Sequence, residues 1–398
     1  MLKKISLFVF IVLMVMTLVS CKKQDATLNI GFSGPMTGDS ANYGKLMSQA
    51  VQLAIDERNE LGGIGGQIKL RMIAEDDEGK VDKANLVIEK LANVDHIVGL
   101  VGAVFSSCSL AIAPKCEQAQ IVMISPSSTH KLLTSLGKYI FRNVLSDESQ
   151  AKVFAKYVKD KLGYSKVAIL NLKNDYSQGL ADDFKTQFES DGGKIIGMES
   201  GLQGDKDFKT QLTKLWAKQP DAIFIPGYVN EMAQILQQAK DMGIKTHWLA
   251  ADGFSNPEIF DLAGDLANGV IFSNSPDESS LGNAKKKDFE TKYLSRFKQK
   301  PDSFSLNSYD AANILMDAMQ FVYNEASPED QKSANLNPAK IRNYVADLQD
   351  YPGVSGKITF LPNRDVQKNV GIFMADHKEF VQQGIYLIKD GQLLEVVE

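Results

Sequence analysis

Residues 99–129 read GLVGAVFSSCSLAIAPKCEQAQIVMISPSST, and this stretch decides the fold. Two apolar runs within and beside it, Ile97–Val104 and Ile121–Ile124, are predicted strands. The segment between them, Ser106–Ala119, is a predicted helix, and Ser125–Thr129 is predicted as a turn into a further helix. Two clusters of small hydroxyl residues therefore follow two strands at the points where helices are expected to begin.

This arrangement predicts a binding site for an anion. Parallel strands end at one edge of a sheet, which is where ligands bind in open α/β folds. Helix starts offer free backbone N–H groups and a partial positive charge, and Ser and Thr hydroxyls add donors without adding charge. We interpret the two clusters as a clamp for a carboxylate. The alternative is that these residues are ordinary helix N-caps.

The first 21 residues have the pattern of an export signal. Two lysines precede a 15-residue, largely apolar run, Ile5–Val19, which is shorter than the roughly 20 residues of a membrane span. Leu18-Val19-Ser20-Cys21 then resembles a bacterial lipobox, in which the chain is cut before Cys21 and lipid is attached to that residue. An uncleaved anchor is the alternative. Both interpretations place the rest of the chain outside the cytoplasm, and the lipid would hold it at a membrane surface.

Composition excludes several classes of function. Removal of residues 1–20 takes the net charge from −5 to −7, which argues against nucleic acid or an anionic membrane face as a partner. The four histidines show no metal-ligand spacing, and no serine lies in a G-x-S-x-G motif. We therefore expect no enzyme activity, no cofactor and no metal site.

Only two cysteines follow Cys21, and both fall in the predicted helix 106–119. Cys108 and Cys116 are eight residues apart, so their Cα atoms would be about 12 Å apart on a helix. A disulfide requires less than about 7 Å. We expect two free thiols packed on the buried face of the helix.

Strands and helices alternate from Thr27 to Ser273. This alternation predicts an α/β fold with parallel sheets, and ten strands are better divided between two sheets than placed in one. The predicted strands are Leu28–Phe32, Ile68–Ala74, Ile97–Val101, Ile121–Ile124, Tyr139–Val144, Val167–Leu172, Lys194–Met198, Ala222–Pro226, His247–Ala250 and Val270–Ser273. An apolar stripe at helical spacing marks the first helix, and it consists of Tyr43, Met47, Ala50, Ala54 and Leu61.

The pattern changes beyond Ser273. Three helices are predicted, and they are Asn283–Phe297, Ser303–Tyr323 and Pro338–Leu348. Three short strands follow, Lys357–Phe360, Val370–Met374 and Gly384–Ile388, with a hairpin turn at Lys389-Asp390-Gly391. We place the helices on a first lobe and the closing strands on a second lobe. The predicted units are a signal peptide (1–20), a lipidated tether (21–26), lobe 1 (27–144 and 275–352) and lobe 2 (145–274 and 353–398), with crossings near Val144, Asn274 and Gly353.

Four local patterns carry a resemblance to a known family. They are Gly31–Pro35 with Tyr43-Gly44, Phe105-Ser106-Ser107 with Met123–Thr129, Asp175–Gly179, and Gly227-Tyr228 with Glu231-Met232 and then Ala251-Asp252-Gly253. In this order and spacing they resemble the bacterial type I solute-binding proteins of the branched-chain amino acid transport group. The resemblance covers about Leu28 to Phe380 and implies two Rossmann-like lobes joined by three hinge crossings.

The resemblance also implies a set of ligand-binding residues. In that family the first lobe holds the α-carboxylate, which implies the hydroxyls of Ser106 and Thr129 and the backbone N–H of Ser127. Asp252 would hold the α-ammonium group, at a position where the amino-acid binders compared have the longer Glu. The residues implied to line the pocket are Tyr43, Phe105, Tyr176 and Tyr228, with Phe304 as a further candidate. The alternatives are a turn role for Asp252 before Gly253 and core packing for the aromatic residues.

The function implied is that of a substrate-binding lipoprotein of an ABC importer. It would bind an amino acid, branched-chain or otherwise apolar, by hinge closure, and deliver it to a membrane permease. We expect a monomer. The alternative is a receptor of the same fold for an amide such as urea, an aromatic acid or another small solute, or a sensory binding protein.

Overall fold

The computed structural model describes residues 26–276 and 284–396. The predicted signal peptide, Cys21 and the tether up to Asp25 lie outside the described residues. Across the two described ranges, no helix combines the length and the apolar character that a membrane span requires.

Fifteen strands and twelve α-helices build the described part of the chain. The strands are β1 (Thr27–Gly34), β2 (Lys69–Asp76), β3 (Gly99–Gly102), β4 (Val122–Ser125), β5 (Ile140–Arg142), β6 (Lys166–Leu172), β7 (Lys194–Gly201), β8 (Ala222–Ile225), β9 (His247–Ala250), β10 (Ile271–Asn274), β11 (Tyr351–Gly353), β12 (Gly356–Ile358), β13 (Val370–Asp376), β14 (Glu379–Lys389) and β15 (Gln392–Glu395). The helices are α1 (Ala41–Glu60), α2 (Val81–Asn93), α3 (Ser106–Ala119), α4 (Asp147–Asp160), α5 (Asp175–Ser190), α6 (Lys209–Trp216), α7 (Val229–Asp241), α8 (Glu258–Ala263), α9 (Ala284–Phe297), α10 (Ser303–Asn324), α11 (Pro328–Ser333) and α12 (Pro338–Ala346). All ten strands predicted before Asn274 are present, with ends shifted by a few residues.

The first sheet contains five parallel strands in the order β2-β1-β3-β4-β5. Helix α10 packs against α1 and contacts β3 and β4, so the later helices return to this sheet. Four members of the predicted stripe on α1 are buried, namely Tyr43, Met47, Ala50 and Ala54. The fifth, Leu61, is 84% exposed because the helix ends at Glu60, and Gly62 then turns the chain with a φ of 102°. Cys108 and Cys116 are free and buried, as predicted.

The second sheet contains eight strands in the order β15-β14-β13-β10-β9-β8-β6-β7. Strands β6 to β10 are parallel, so the predicted parallel pairing is confirmed for all ten strands. Strands β13 to β15 add an antiparallel edge, which makes this sheet mixed. A two-residue turn, Asp390-Gly391, joins β14 and β15. Both residues have a positive φ, as the central residues of a type I′ turn do.

The helix predicted directly after Ser125–Thr129 is absent. A short 3₁₀ turn at Leu133–Leu136 is the first helical segment after β4. The hydroxyls instead bind the loop that follows β3: the Ser128 hydroxyl lies 3.2 Å from the Ala103 carbonyl and 3.1 Å from the Val104 carbonyl. The two hydroxyl-rich loops are thus bonded to each other, and only the first of them opens an α-helix.

The segment containing the predicted strand Lys357–Phe360 does not join the second sheet. Strand β12 pairs with β11, and the turn between them donates two N–H groups to Asp310 on α10, each at 2.8 Å. Further along, Asp365 pairs with Arg142 at the end of β5. These contacts attach the segment to the elements around the first sheet. We therefore propose that the third crossing lies after Asp365, later than the predicted position near Gly353.

Candidate functional site

A small cavity lies among the segments that follow β3, β4, β6, β8 and β9. Its walls therefore come from the carboxyl ends of strands in both sheets, together with the starts of α1 and α10. The lining residues are Tyr43, Val104, Phe105, Ser106, Ser127, Tyr176, Tyr228, Asp252, Gly253 and Phe304. Seven of the eight predicted ligand residues are among them, and Thr129 is the exception.

A larger cavity lies elsewhere, beside Asn274, Asp302 and Val354, and none of the predicted ligand residues lines it. The smaller cavity is the candidate ligand site, because it combines buried polar groups with an aromatic wall at the strand ends.

The aromatic wall is a continuous cluster of four rings. Phe105 stacks on Tyr228 with 4.4 Å between ring centroids, and Tyr228 stacks on Tyr176 at 5.3 Å. Tyr43 meets both Phe105 and Tyr228 edge-on, each at 5.8 Å. Since Tyr43 and Phe105 belong to the first sheet's side and Tyr176 and Tyr228 to the second, the cluster joins the two halves of the molecule.

One end of the cavity is acidic. Asp252 begins a short 3₁₀ turn after β9 and is only 1% exposed. The Tyr176 hydroxyl donates to its carboxylate at 2.7 Å and accepts from the Gly253 N–H at 2.9 Å. Burial raises the pKa of Asp252 to about 6, although the bond from Tyr176 opposes this rise. A cation placed here would favour the charged form of the carboxylate.

The other end carries donors without a formal charge. Ser106 is the first residue of α3, where the helix N-terminus favours an anion. Ser127 lines the cavity next to it, and its side chain donates to the Val104 carbonyl at 2.7 Å. Among the described residues, no group of three or more His, Cys, Asp or Glu side chains could hold a metal ion. The site can therefore hold a small molecule with an anionic and a cationic end.

Contacts across the cleft hold it closed. The Tyr43 hydroxyl on α1 donates to the Gly253 carbonyl and accepts from the Val229 N–H at 3.2 Å. Asn42 donates to Asn256 at 2.8 Å. Each of these bonds joins α1 to a segment around the second sheet, so they would break if the halves separated.

Comparison with known proteins shows the family. A family model described as periplasmic binding protein matches residues 27–379. The leucine-, isoleucine-, valine-, threonine-, and alanine-binding protein of Pseudomonas aeruginosa is 31% identical over 76% of this chain and 80% of its own length. The chain belongs to the periplasmic binding protein family.

Two solved structures of periplasmic binding proteins show the same fold. The leucine-binding protein LivK of Thermotoga maritima superposes with a TM-score of 0.81 at 27% identity, over 90% of this chain and 98% of that one. The branched-chain amino acid binding protein LivJ of Streptococcus pneumoniae, in complex with isoleucine, also gives 0.81 at 27% identity, over 93% and 100%. These relatives are binding proteins, and LivJ is a transporter substrate-binding protein, so the comparisons agree with a binding role and not with an enzyme.

Thr129 lies behind the cavity wall of this periplasmic binding protein. It is wholly buried, and its hydroxyl has no hydrogen-bond partner. Its carbonyl accepts from Arg142 and from the N–H of Asp147, both at 2.8 Å. Arg142 also donates to the His130 carbonyl and to Asp365, each at 2.7 Å. Arg142 thus fixes the loop that carries Thr129.

Sequence reasoning missed Arg142 and Asp147, two charged residues that bind the carbonyl of Thr129 behind the cavity wall. Both are wholly buried, although charged side chains are rarely so unless they are paired. In the sequence, Asp147 looks like an ordinary acidic residue in the first turn of a helix capped by Ser146. One feature of the sequence could have identified them: the two residues lie on either side of Val144, where the first crossing between the lobes is predicted.

Proposed function

We propose that this protein is an extracytoplasmic substrate-binding protein of an ABC importer and that it binds an amino acid with a branched-chain or other apolar side chain. One observation carries the proposal: the closed cavity has a buried acid at one end and hydroxyls at a helix start at the other. A zwitterion loses water from both charges on burial, so each charge needs a partner in the site. The named ligands of the Pseudomonas aeruginosa protein and of LivJ support the choice.

The proposed roles follow from the geometry. The hydroxyl of Ser106 and the backbone N–H of Ser127 would bind the carboxylate, and Thr129 would add its hydroxyl from behind the wall. Asp252 would hold the ammonium group, either directly or through a water molecule because its side chain is short. The side chain of the ligand would contact the aromatic wall.

Binding would close two lobes on the ligand. The contacts of Asp310 and Asp365 move the third crossing from the position predicted near Gly353. We propose that lobe 1 comprises residues 27–144 and 275–365 and that lobe 2 comprises residues 145–274 and 366–398. Lobes joined by crossing segments close by hinge rotation. The closed, monomeric protein, held at the membrane by lipid on Cys21, would then present both lobes to a permease.

Calorimetric titration tests this proposal. Residues 22–398 would be unfolded and refolded to remove carried ligand and then titrated with each of the twenty amino acids. We expect one-to-one binding of a few apolar amino acids. Absence of heat with all twenty would overturn the amino-acid proposal, and binding of urea, another amide or an aromatic acid would then identify a different solute for the same cleft.

A further inference from the structure

One face of helix α5 receives contacts from the opposite half of the molecule. Asp175, Gly179 and Asp183 are spaced four residues apart, so they lie on the same side of the helix. We call these three residues the docking face. Helix α5 follows β6 of the second sheet, and its second residue is Tyr176 of the cavity wall. The docking face therefore begins next to the candidate ligand site.

Each end of the docking face is bonded to a segment from the side of the first sheet. At one end, the Asp175 N–H donates to the Ser107 hydroxyl at the start of α3, at 3.1 Å. At the other end, the Lys131 ammonium group pairs with the Asp183 carboxylate at 2.5 Å. The two partners belong to the segments that follow β3 and β4. These bonds therefore join the two halves alongside the cavity.

The middle of the docking face permits a closer approach, because it has no side chain. The imidazole ring of His130 lies directly against Gly179: a Cβ added there would be 2.8 Å from the Cδ2 atom and 3.1 Å from the Nε2 atom of the ring. Nonbonded carbon atoms have their optimal separation at about 3.5–4.0 Å. The size of residue 179 thus limits how closely the loop after β4 can approach α5.

Both sides of this contact are fixed within their own halves. The His130 carbonyl accepts from Arg142 at 2.7 Å and from the Leu133 N–H at 3.0 Å. On the opposite side, the Ser177 hydroxyl accepts from the Leu172 N–H at 2.7 Å and so attaches the first turn of α5 to β6. A clash between the ring and a new side chain is therefore relieved most directly by separation of the halves.

The backbone itself does not require a glycine at this position. Gly179 lies in the second turn of a 16-residue helix, and its φ is not positive. Glycine weakens the interior of a helix relative to alanine, because its backbone loses more conformational freedom on folding. The close approach of His130 is the structural feature that accounts for a glycine here.

Resting on the closure around a ligand proposed above, we propose that lobe 1 seats on the docking face of α5 when the cleft closes, and that Gly179 is a positioning residue for ligand binding. Gly179 does not touch the ligand. It allows His130 to pack directly on the helix, which brings the carboxylate-binding side within reach of Asp252. A side chain at position 179 would hold the cleft partly open and weaken binding, although it would strengthen α5.

The test compares Gly179→Ala and Gly179→Leu with the wild type and with the control Gln178→Ala, at the neighbouring exposed position of α5. Residues 22–398 of each protein are refolded and titrated with leucine, and each ligand-free protein is unfolded by heat. We expect Gly179→Ala to weaken leucine binding about tenfold or more and Gly179→Leu to weaken it further. The midpoint of thermal unfolding of ligand-free Gly179→Ala should equal or exceed that of the wild type. Gln178→Ala should bind leucine as the wild type does.

A double variant separates the contact from other effects of the substitution. His130→Ala removes the ring that the new side chain would meet. In that background, Gly179→Ala should no longer weaken leucine binding, because the two positions are coupled through direct contact. A loss caused by a change within α5 alone would persist without the ring.

Each outcome supports or overturns the role of the docking face. If both variants at position 179 bind leucine as tightly as the wild type, this role is wrong and the amino-acid function stands. A loss that persists in the His130→Ala background, or an equal loss in Gln178→Ala, also overturns it. If the wild type binds no amino acid, the amino-acid function falls and the role of the docking face falls with it.

Discussion

At the scale of single residues, Asp252 is the acid that we propose to select the ligand. It is nearly inaccessible, and its hydrogen-bond donors, of which Tyr176 has the largest effect, are uncharged. An uncharged donor offsets only part of the cost of burying a carboxylate, which is why the pKa of Asp252 is raised. A ligand with an ammonium group would supply the missing counter-charge. A ligand without one would leave the acid to be protonated.

Replacement of Asp252 by Asn should abolish binding of α-amino acids. Loss of one partner of a buried ion pair costs about 3–5 kcal/mol, which corresponds to at least a hundredfold in affinity. The fold should remain stable, because the removed acid is one that burial already disfavours. Calorimetry and thermal unfolding would measure the two effects. The exposed Asp261 on α8 provides a matched control, and normal leucine binding by Asp252→Asn would contradict the assignment of the ammonium site.

At the scale of the elements, the sequence predicts what depends on local pattern and misses what depends on contacts between distant segments. Ten strands followed from apolar runs between turn residues. The helix expected after Ser125–Thr129 is absent because Ser128 bonds the loop after β3, which no local pattern reveals. The β11–β12 hairpin is held by Asp310, more than forty residues earlier in the chain. The short helix α11 was also missed.

The candidate site shows the same difference between residues predicted from local sequence pattern and residues that depend on distant contacts. The residues with a motif around them, such as Ser106 and Asp252, were predicted and line the cavity. Arg142 and Asp147 were missed because each resembles a common surface residue in its local sequence. Their importance comes from complete burial, which depends on the packing of both halves of the molecule.

Helix α10 offers a test of pH dependence at one cap. Asp302 is its N-cap and accepts the Ser305 N–H at 2.8 Å, while burial raises its pKa to about 6. A raised folded pKa means that the stability contributed by the group is fully present below the unfolded pKa of about 3.9 and is lost as pH rises through about 6. Asn keeps the cap but does not titrate.

The pKa of Asp302 is about two units higher in the folded protein than in the unfolded chain, and each unit corresponds to 1.36 kcal/mol. Asp302→Asn should therefore stabilise the protein at pH 7.5 by about 3 kcal/mol and should have little effect at pH 4. Denaturant unfolding at the two pH values would measure this difference. Asp302→Ala, which loses the cap, should stabilise the protein at pH 7.5 by less than Asp302→Asn does. Equal effects of Asp302→Asn at both pH values would show that its carboxylate does not titrate as described.

At the scale of the whole molecule, a small number of hydrogen bonds joins the two halves around the cavity. Tyr43 contributes two of them, to the Gly253 carbonyl and from the Val229 N–H. Its ring also lies against Tyr228 on the opposite half. Under the proposed hinge motion, these contacts would form only when the cleft is closed, so they would stabilise the closed state and not either half.

Replacement of Tyr43 by Phe should weaken ligand binding while leaving each half folded. Two hydrogen bonds at about 0.5–1.5 kcal/mol each predict a loss of affinity of about tenfold. Small-angle scattering of the ligand-free variant should show a more open protein. Unchanged affinity together with unchanged dimensions would show that the hydroxyl of Tyr43 does not stabilise closure.

The proposed lipid anchor can be tested by replacing Cys21, the residue that would carry the lipid. Cys21→Ser should move the protein from the membrane fraction of the producing bacterium to the soluble extracytoplasmic fraction, because no lipid can be attached. Cys108→Ser changes a buried thiol in α3 and should leave the protein with the membrane. Retention of Cys21→Ser in the membrane fraction would favour an uncleaved N-terminal anchor.

The bond network that joins the two hydroxyl-rich loops has a kinetic consequence. The Ser128 hydroxyl joins the loop after β4 to the loop after β3, so the side that we propose to bind the carboxylate would be preorganised before any ligand arrives. Asp252 and Tyr176 are carried by the other half, so under the proposed mechanism they would reach the ligand only on closure. Encounter would then take place on a rigid surface at little entropic cost, and the closing half would set the residence time.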